Sequence, residues 1–173
     1  GPDPKRAVAV FEYRAGSAAL PEIDGRIASL LRKHTSLEII DGDAARKTYG
    51  ARLDADIVAC AGEADCVAAI GAKAGAKEVL LVGVSEFGNV ILTLQRIDVK
   101  RKKVAMRIAE ALAETVEPDD DALLGYCKRV LPESDFLQFG TIRIKANLVG
   151  AEVLLGRDTR GQTPIEPIKV RAP

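Results

Sequence analysis

Two short runs constrain this chain more than any other feature: Ala7 to Tyr13 (AVAVFEY) and Glu78 to Val84 (EVLLVGV) are almost wholly apolar. Runs of this length and valine-leucine content read as strands, and so few polar positions place them inside a sheet, not at its edge. After the turn at Arg14 to Ser17, Leu20, Ile23, Ile27, Leu30 and Leu31 recur at helical spacing, with Pro21 placed for the first turn. Leu37 to Ile40 supplies the returning strand, which completes a β-α-β unit. Asp41-Gly42-Asp43 then turns the chain into a brief helix near Ala44 to Tyr49.

The region Leu53 to Ala74 is helical in character, broken at Gly62 and closing near Gly75. Cys66, Val67, Ile70 and Ala74 mark an apolar stripe, and Ala64, Ala68, Ala69 and Ala72 are small enough to let a sheet approach closely. Beyond the second apolar run and Ser85 to Gly88, residues 89 to 98 alternate: Val90, Leu92 and Leu94 against Ile91, Thr93 and Gln95. One face of this strand meets a core and the other is partly wet. Lys100 to Lys103 makes a polar hairpin tip. Val104, Met106 and Ile108 resume the period of two, although Ala105, Ile108, Ala109 and Leu112 also fit a helical stripe. A strand over Lys103 to Glu110 is the expectation, because the long arm ending near residue 98 needs a neighbour.

Pro118 and the acidic residues Asp119, Asp120 and Asp121 begin a further helix, buried along Leu123, Leu124, Cys127, Val130 and Leu131 and ended by Pro132. Residues 133 to 139 read as a linker. From residue 140 the texture changes to short strands at Thr141 to Lys145, Glu152 to Leu155 and Ile168 to Arg171, punctuated by Gly150, Gly156, Gly161 and Pro164. The expected fold class is therefore mixed α/β: a mixed sheet with helices packed on it over residues 5–132, followed over 140–173 by the strands of an incomplete small β-sandwich. Continuation past Pro173 is expected.

Charge and composition narrow the function. With 47% apolar and 29% charged residues and no net charge, the chain is an ordinary globular protein with no general drive toward nucleic acid or an anionic membrane. Aromatic residues at 4% are too few for a typical carbohydrate cleft or base-stacking platform. No stretch approaches the roughly 20 apolar residues of a membrane-spanning helix. Gly1-Pro2 reads as the scar of protease cleavage, so a native start carrying a signal or a membrane attachment is expected to have been removed. Of the three cysteines, Cys60 and Cys66 are close enough for a disulfide loop in an oxidising compartment, with small buried thiols as the alternative.

The chemistry-bearing residues do not converge. His34, within Lys33-His34-Thr35-Ser36, has no nucleophile and no orienting acid in a recognised pattern. Asp119 to Asp121 lack the alternating oxygen ligands of a calcium loop, and Asp41 and Asp43 bracket a turn. A zinc site would need distant Cys127 or His34 as its third ligand. Gly62, Gly71, Gly75 and Gly83 match neither nucleotide-binding glycine pattern. No catalytic, metal or cofactor residue is assigned.

Thr141-Ile-Arg-Ile144, Gly150 to Leu155, Arg160 to Ile165 and Pro167 to Val170 resemble the first half of a PEGA domain, with Val149 at the proline position of its signature. The AVAVFEY strand, the Cys60 to Cys66 segment before a helix ending at Gly75, and EVLLVGVSEFG with Leu94 to Asp98 resemble the α/β domains related to the amino-terminal domain of TolB and to CsgG-type lipoproteins. This order of domains is similar to that in deltaproteobacterial periplasmic, surface-assembly and motility-associated proteins. The resemblance implies a non-catalytic scaffold in the periplasm or cell envelope that binds another envelope protein.

A docking module is thus the favoured reading, and a small-ligand sensing or carrying domain with a pocket at the strand ends is the alternative. A flat exposed edge favours the first, and a concave apolar pocket with convergent polar groups the second. The candidate contact residues are Thr93, Gln95 and Arg107 on the face of the hairpin and Arg101 and Lys102 at its tip.

Overall fold

In the computed structural model of the chain, residues 5–113, 117–142, 152–155, 158–162 and 168–171 are described. The chain divides into two units, Gly1–Phe136 and Leu137–Pro173.

The first unit is a mixed five-stranded sheet with helices on both faces. Its elements are β1 (Ala7–Ala15), α1 (Ile23–His34), β2 (Glu38–Ile40), α2 (Gly42–Tyr49), α3 (Leu53–Ala59), α4 (Ala64–Lys73), β3 (Glu78–Phe87), β4 (Asn89–Asp98), β5 (Lys103–Leu112) and α5 (Asp120–Val130). The strand order is β2-β1-β3-β4-β5. β1 pairs parallel with both β2 and β3, while β4 and β5 join antiparallel. The two apolar runs, β1 and β3, lie side by side at the centre, where each needs a hydrophobic side chain on both faces.

Those faces build two cores. Val8 and Val10 of β1, Leu80, Val82 and Val84 of β3, and Leu92 and Leu94 of β4 meet α1 and α5. Ala9 and Phe11, Val79 and Leu81, and Ile97 meet α2, α3 and α4. Ile97, three residues along β4 from Leu94 and paired with Val79, reaches the second core by alternation alone; the register shift beside it places one extra residue, Ala105, in β5.

Helix starts follow local chemistry. Asp41 and Asp119 cap α2 and α5 by accepting the N–H groups of Ala44 and Ala122 through their side chains. Pro21 lies just before α1, which starts at Ile23 after Glu22 in the left-handed region, φ 58°. On α4 the buried stripe is Val67, Ala68, Ile70 and Gly71; Cys66, Ala69 and Ala72 are exposed. Close approach to the sheet is made by Gly71, where a Cβ would stand 2.5 Å from Val79 Cγ2.

β5 is a strand, paired along β4 from Val90↔Leu112 to Asp98↔Lys103. Residues 133 to 136, read from the sequence as the start of a linker, belong to the first unit. Glu133–Asp135 forms a 3₁₀ turn, Asp135 is buried against Arg6, and Phe136 bridges Thr35.

Among the described residues the second unit holds two antiparallel pairs: β6 (Phe139–Ile142) with β9 (Ile168–Arg171), and β7 (Glu152–Leu155) with β8 (Asp158–Gln162). β8 (DTRGQ) carries no apolar alternation, which is why only three of these strands are readable from the sequence. Thr141, Ile142, Glu152 to Leu155, Arg160 to Gln162 and Ile168 to Val170 of the PEGA-like pattern lie on these strands; residues 143 to 151 and 163 to 167 lie outside the described residues.

Candidate functional site

The β4–β5 hairpin brings the sequence-selected contact residues onto one structure. Gln95 pairs with Arg107, so both point to the same face, and Thr93, two residues along β4, shares it. It is the face of the second core, since Thr93 pairs with Gly83, which continues the Val79 and Leu81 row of β3. A Cβ at Gly83 would stand 2.2 Å from Thr93 Oγ1, so any larger residue there would displace the Thr93 side chain. Among the described residues the buried members of the second core on β3 and β4 are Val79, Leu81 and Ile97, and the row beyond them lies outside that core. Gly83, Thr93 and Gln95 are half-buried, and Arg107, Ala109 and Ala111 are exposed. The result is a shelf of small and polar side chains on the open end of the sheet.

The rim of the shelf is β5. Among the described residues no strand pairs with its outer side, and Val104 and Met106 are 40% and 46% exposed. A ten-residue edge with exposed apolar side chains is a template for an added strand. Arg129 of α5 holds Glu110 from the α1–α5 face, which pins the far end of the edge.

Arg101 and Lys102 lie apart from the shelf, at the hairpin tip. Asp98 builds that tip, its carboxylate accepting the Arg101 N–H at 2.8 Å and its carbonyl accepting the Lys102 N–H at 2.8 Å. Lys102 takes φ 58°, and its side chain and that of Arg101 are exposed.

Cys60 and Cys66 are joined by a disulfide, with Cα atoms 5.4 Å apart. It links the end of α3 to the first turn of α4 across Ala61 and Gly62, both at positive φ. Cys60 is buried and Cys66 exposed. Cys127 is a buried free thiol in the first core, and burial pushes its pKa up to about 12. A thiol so held is no nucleophile.

A cleft of about 340 Å³, which the sequence did not locate, opens beside the upper half of β1. Phe11, Leu53 and Ile57 give it an apolar floor, and Asp24, Arg46 and Asp54 stand around it. The guanidinium of Arg46 lies over Gly42, where a Cβ would be 3.1 Å from Nη1, and donates to Asp54 at 2.8 Å and 3.0 Å and to Asp43 at 2.9 Å. Asp54 is held below, and Arg46 above, the ordinary value by this hydrogen bonding. The polar groups of the cleft are thus largely paired with one another instead of converging on a space between them.

His34 ends α1, half-buried, within a last turn that also carries Arg32 and Lys33. Among the described residues no three His, Cys, Asp or Glu side chains are grouped to hold a metal, and no helix is long and apolar enough to cross a membrane.

No protein-family model matches the chain, and neither does any curated protein. Among solved structures, the chain is similar to the C-terminal domain of LpoB from Salmonella enterica, with a TM-score of 0.48 and 16% identity over 66% of this chain and 87% of that one. It is also similar to lipoprotein GNA1162 from Neisseria meningitidis, with a TM-score of 0.47 and 17% identity over 72% of this chain and 91% of that one.

Proposed function

We propose that the first unit is a non-catalytic docking module of a bacterial cell-envelope assembly, which binds another envelope protein along β5 and the shelf beside it. The observation that carries the reading is the open edge. Alternate residues along the ten-residue β5 offer backbone hydrogen bonds outward, and Thr93, Gln95 and Arg107 stand on the adjoining face. Strand addition draws affinity from the backbone and selectivity from alternate side chains, and both are on offer here.

The Cys60–Cys66 disulfide supports a periplasmic or envelope location, since such bonds persist in oxidising compartments. The motifs resembling TolB amino-terminal, CsgG-type and PEGA domains support the finer reading of a surface-assembly or motility-associated scaffold. The ligand-carrying alternative has the 340 Å³ cleft in its favour. Its charged groups are already engaged with each other, and this weighs toward docking.

Photo-crosslinking in the native host tests the proposal. A photoreactive residue at Arg107 or Met106 is expected to capture one discrete partner, and the same residue at exposed Lys33 is not. Adducts at Lys33 alone, or none from β5, would overturn it. Arg101→Glu with Lys102→Glu, in a protein of unchanged stability, is expected to weaken an acidic partner; unchanged binding removes the tip from the interface.

A further inference from the structure

The sheet has a second open edge, inside the fold. β2 is three residues long and pairs with β1 only from Ala7 to Ala9, whereas β1 and β3 stay paired to Ala15. The cause is the cap of α2. Asp41 accepts the Ala44 N–H at 2.8 Å and receives Arg32 at 2.7 Å, so the chain leaves the sheet directly after Ile40.

Direction follows from the alternation of backbone groups. The Arg6 carbonyl accepts from Glu38 on the β2 side, and the Ala7 carbonyl accepts from Lys77 on the β3 side. Even-numbered residues of β1 therefore aim their N–H and C=O toward β2. At Glu12 and Arg14, β2 has already ended, and among the described residues no backbone or side chain pairs with those groups. Backbone groups at the margin of a core are rarely left without a protein or water partner, so this stretch of strand is a receptor for one.

The 340 Å³ cleft lies along this stretch. Glu12 and Arg14 line it together with the apolar floor, the first turn of α1 on one side and α2 and α3 on the other. A neighbouring cleft of about 500 Å³ continues past Asp24, Gly42 and Arg46. Together the two are lined by six carboxylates and three guanidinia. The guanidinia are engaged: Arg14 with Glu12 and the carbonyls of Ser17, Ala19 and Leu20, Arg26 with Asp120, and Arg46 with Asp43 and Asp54. Asp24 lines both clefts, is half-buried, and has no ion pair among the described residues.

We infer that this cleft receives an extended segment of a partner protein, added beside Val10 to Arg14 in the line of β2, with a lysine or arginine of that segment facing Asp24. The open backbone supplies strand pairing, the floor takes an apolar side chain, and Asp24, unpaired among the described residues where Glu12, Asp41, Asp43 and Asp54 are each engaged, sets the charge of the guest. The site is separate from the β5 edge, so each can fail without the other.

Amide NMR of the full chain, titrated with the capped pentapeptides TVKVT and TVEVT, tests it. TVKVT is expected to shift the Glu12 and Arg14 amides while leaving those of β5 unmoved, and TVEVT to bind at least about tenfold more weakly, one ion pair's worth of discrimination at a partly buried site. Asp24→Lys should abolish that preference. Val58→Arg, on an exposed wall residue whose change spares the core, should weaken TVKVT, and Val58→Glu should strengthen it. Equal binding of both peptides, no shift at Glu12 and Arg14 up to millimolar TVKVT, or equally tight binding of butylamine alone would each overturn the inference.

Discussion

A methyl group added to Gly71 and one added to Gly125 meet opposite surroundings, although both glycines sit inside helices. At Gly71 a Cβ falls 2.5 Å from Val79 Cγ2 and 3.1 Å from Val99 Cγ2, and Val79 is fully buried in the second core. At Gly125 in α5 nothing lies within 4 Å. Alanine improves the helix by roughly 0.5 to 1 kcal/mol at either place. Overpacking costs roughly 1 to 3 kcal/mol where the neighbours cannot yield. Urea denaturation is therefore expected to show Gly125→Ala stabilised by less than about 1 kcal/mol and Gly71→Ala destabilised by about 1 to 2 kcal/mol. Stabilisation by both would mean that α4 can lift from β3. The sequence alone selects the alanines of α4 as the close-approach positions, because composition shows which residues are small but not which of them faces the sheet. Ala68 is buried in the second core as that reading expects, but Ala69 and Ala72 are exposed, and Gly71 makes a contact with the sheet that leaves no room for a Cβ.

The α3–α4 pair shows at the scale of elements what a short covalent loop does. α3 has seven residues, α4 has ten, and each is too short to be stable alone. Closing the loop from Cys60 to Cys66 removes conformational freedom from the unfolded chain worth about 2 kcal/mol. Reduction is expected to lower stability by about that amount while leaving the cores formed, since Cys66 is exposed and is not a member of the second core. Thiol counting checks the arrangement. The native oxidised protein should show no reactive thiol, the denatured oxidised protein one, from Cys127, and the denatured reduced protein three. After mild native reduction Cys66 should alkylate first. A native thiol that reacts before reduction would contradict the buried state of Cys127. Elements with an internal signal were legible in the sequence: β1 and β3 by their apolar runs, α1 by its stripe, α5 by its cap and its proline. β5 was ambiguous by pattern, because both periods fit, and became a strand through the needs of its neighbour β4. The open shelf follows from that pairing. The cleft does not, because it depends on where β2 stops, and no residue of β1 records the length of the strand beside it.

At the scale of the whole first unit, one ion network joins the beginning of that unit to its end. Arg6 donates through Nε to Glu78 and through both terminal nitrogens to Asp135, and Arg96 donates to Glu78 at 2.9 Å and to the Val130 carbonyl at 2.7 Å. Glu78 and Asp135 are buried at 7% and 6% exposure, so their charges lie largely out of water and depend on these partners. The network holds the starts of β1 and β3 against the segment after α5, where Ser36 N–H also donates to the Asp135 carbonyl at 2.9 Å. Arg6→Met removes the shared guanidinium. Glu78 keeps Arg96, but Asp135 is left a buried, uncompensated charge, and the expected cost is about 3 kcal/mol. Asp135→Leu alone should cost less, because Arg6 retains Glu78 and is one-third exposed to solvent. A double-mutant cycle separates pairing from packing: Arg6→Met with Asp135→Leu should be more stable than the sum of the single losses implies, with a coupling energy of at least about 1 kcal/mol. Additive losses would show that Asp135 is held by the 3₁₀ turn and the Phe136 bridge alone, and that Arg6 serves only β3.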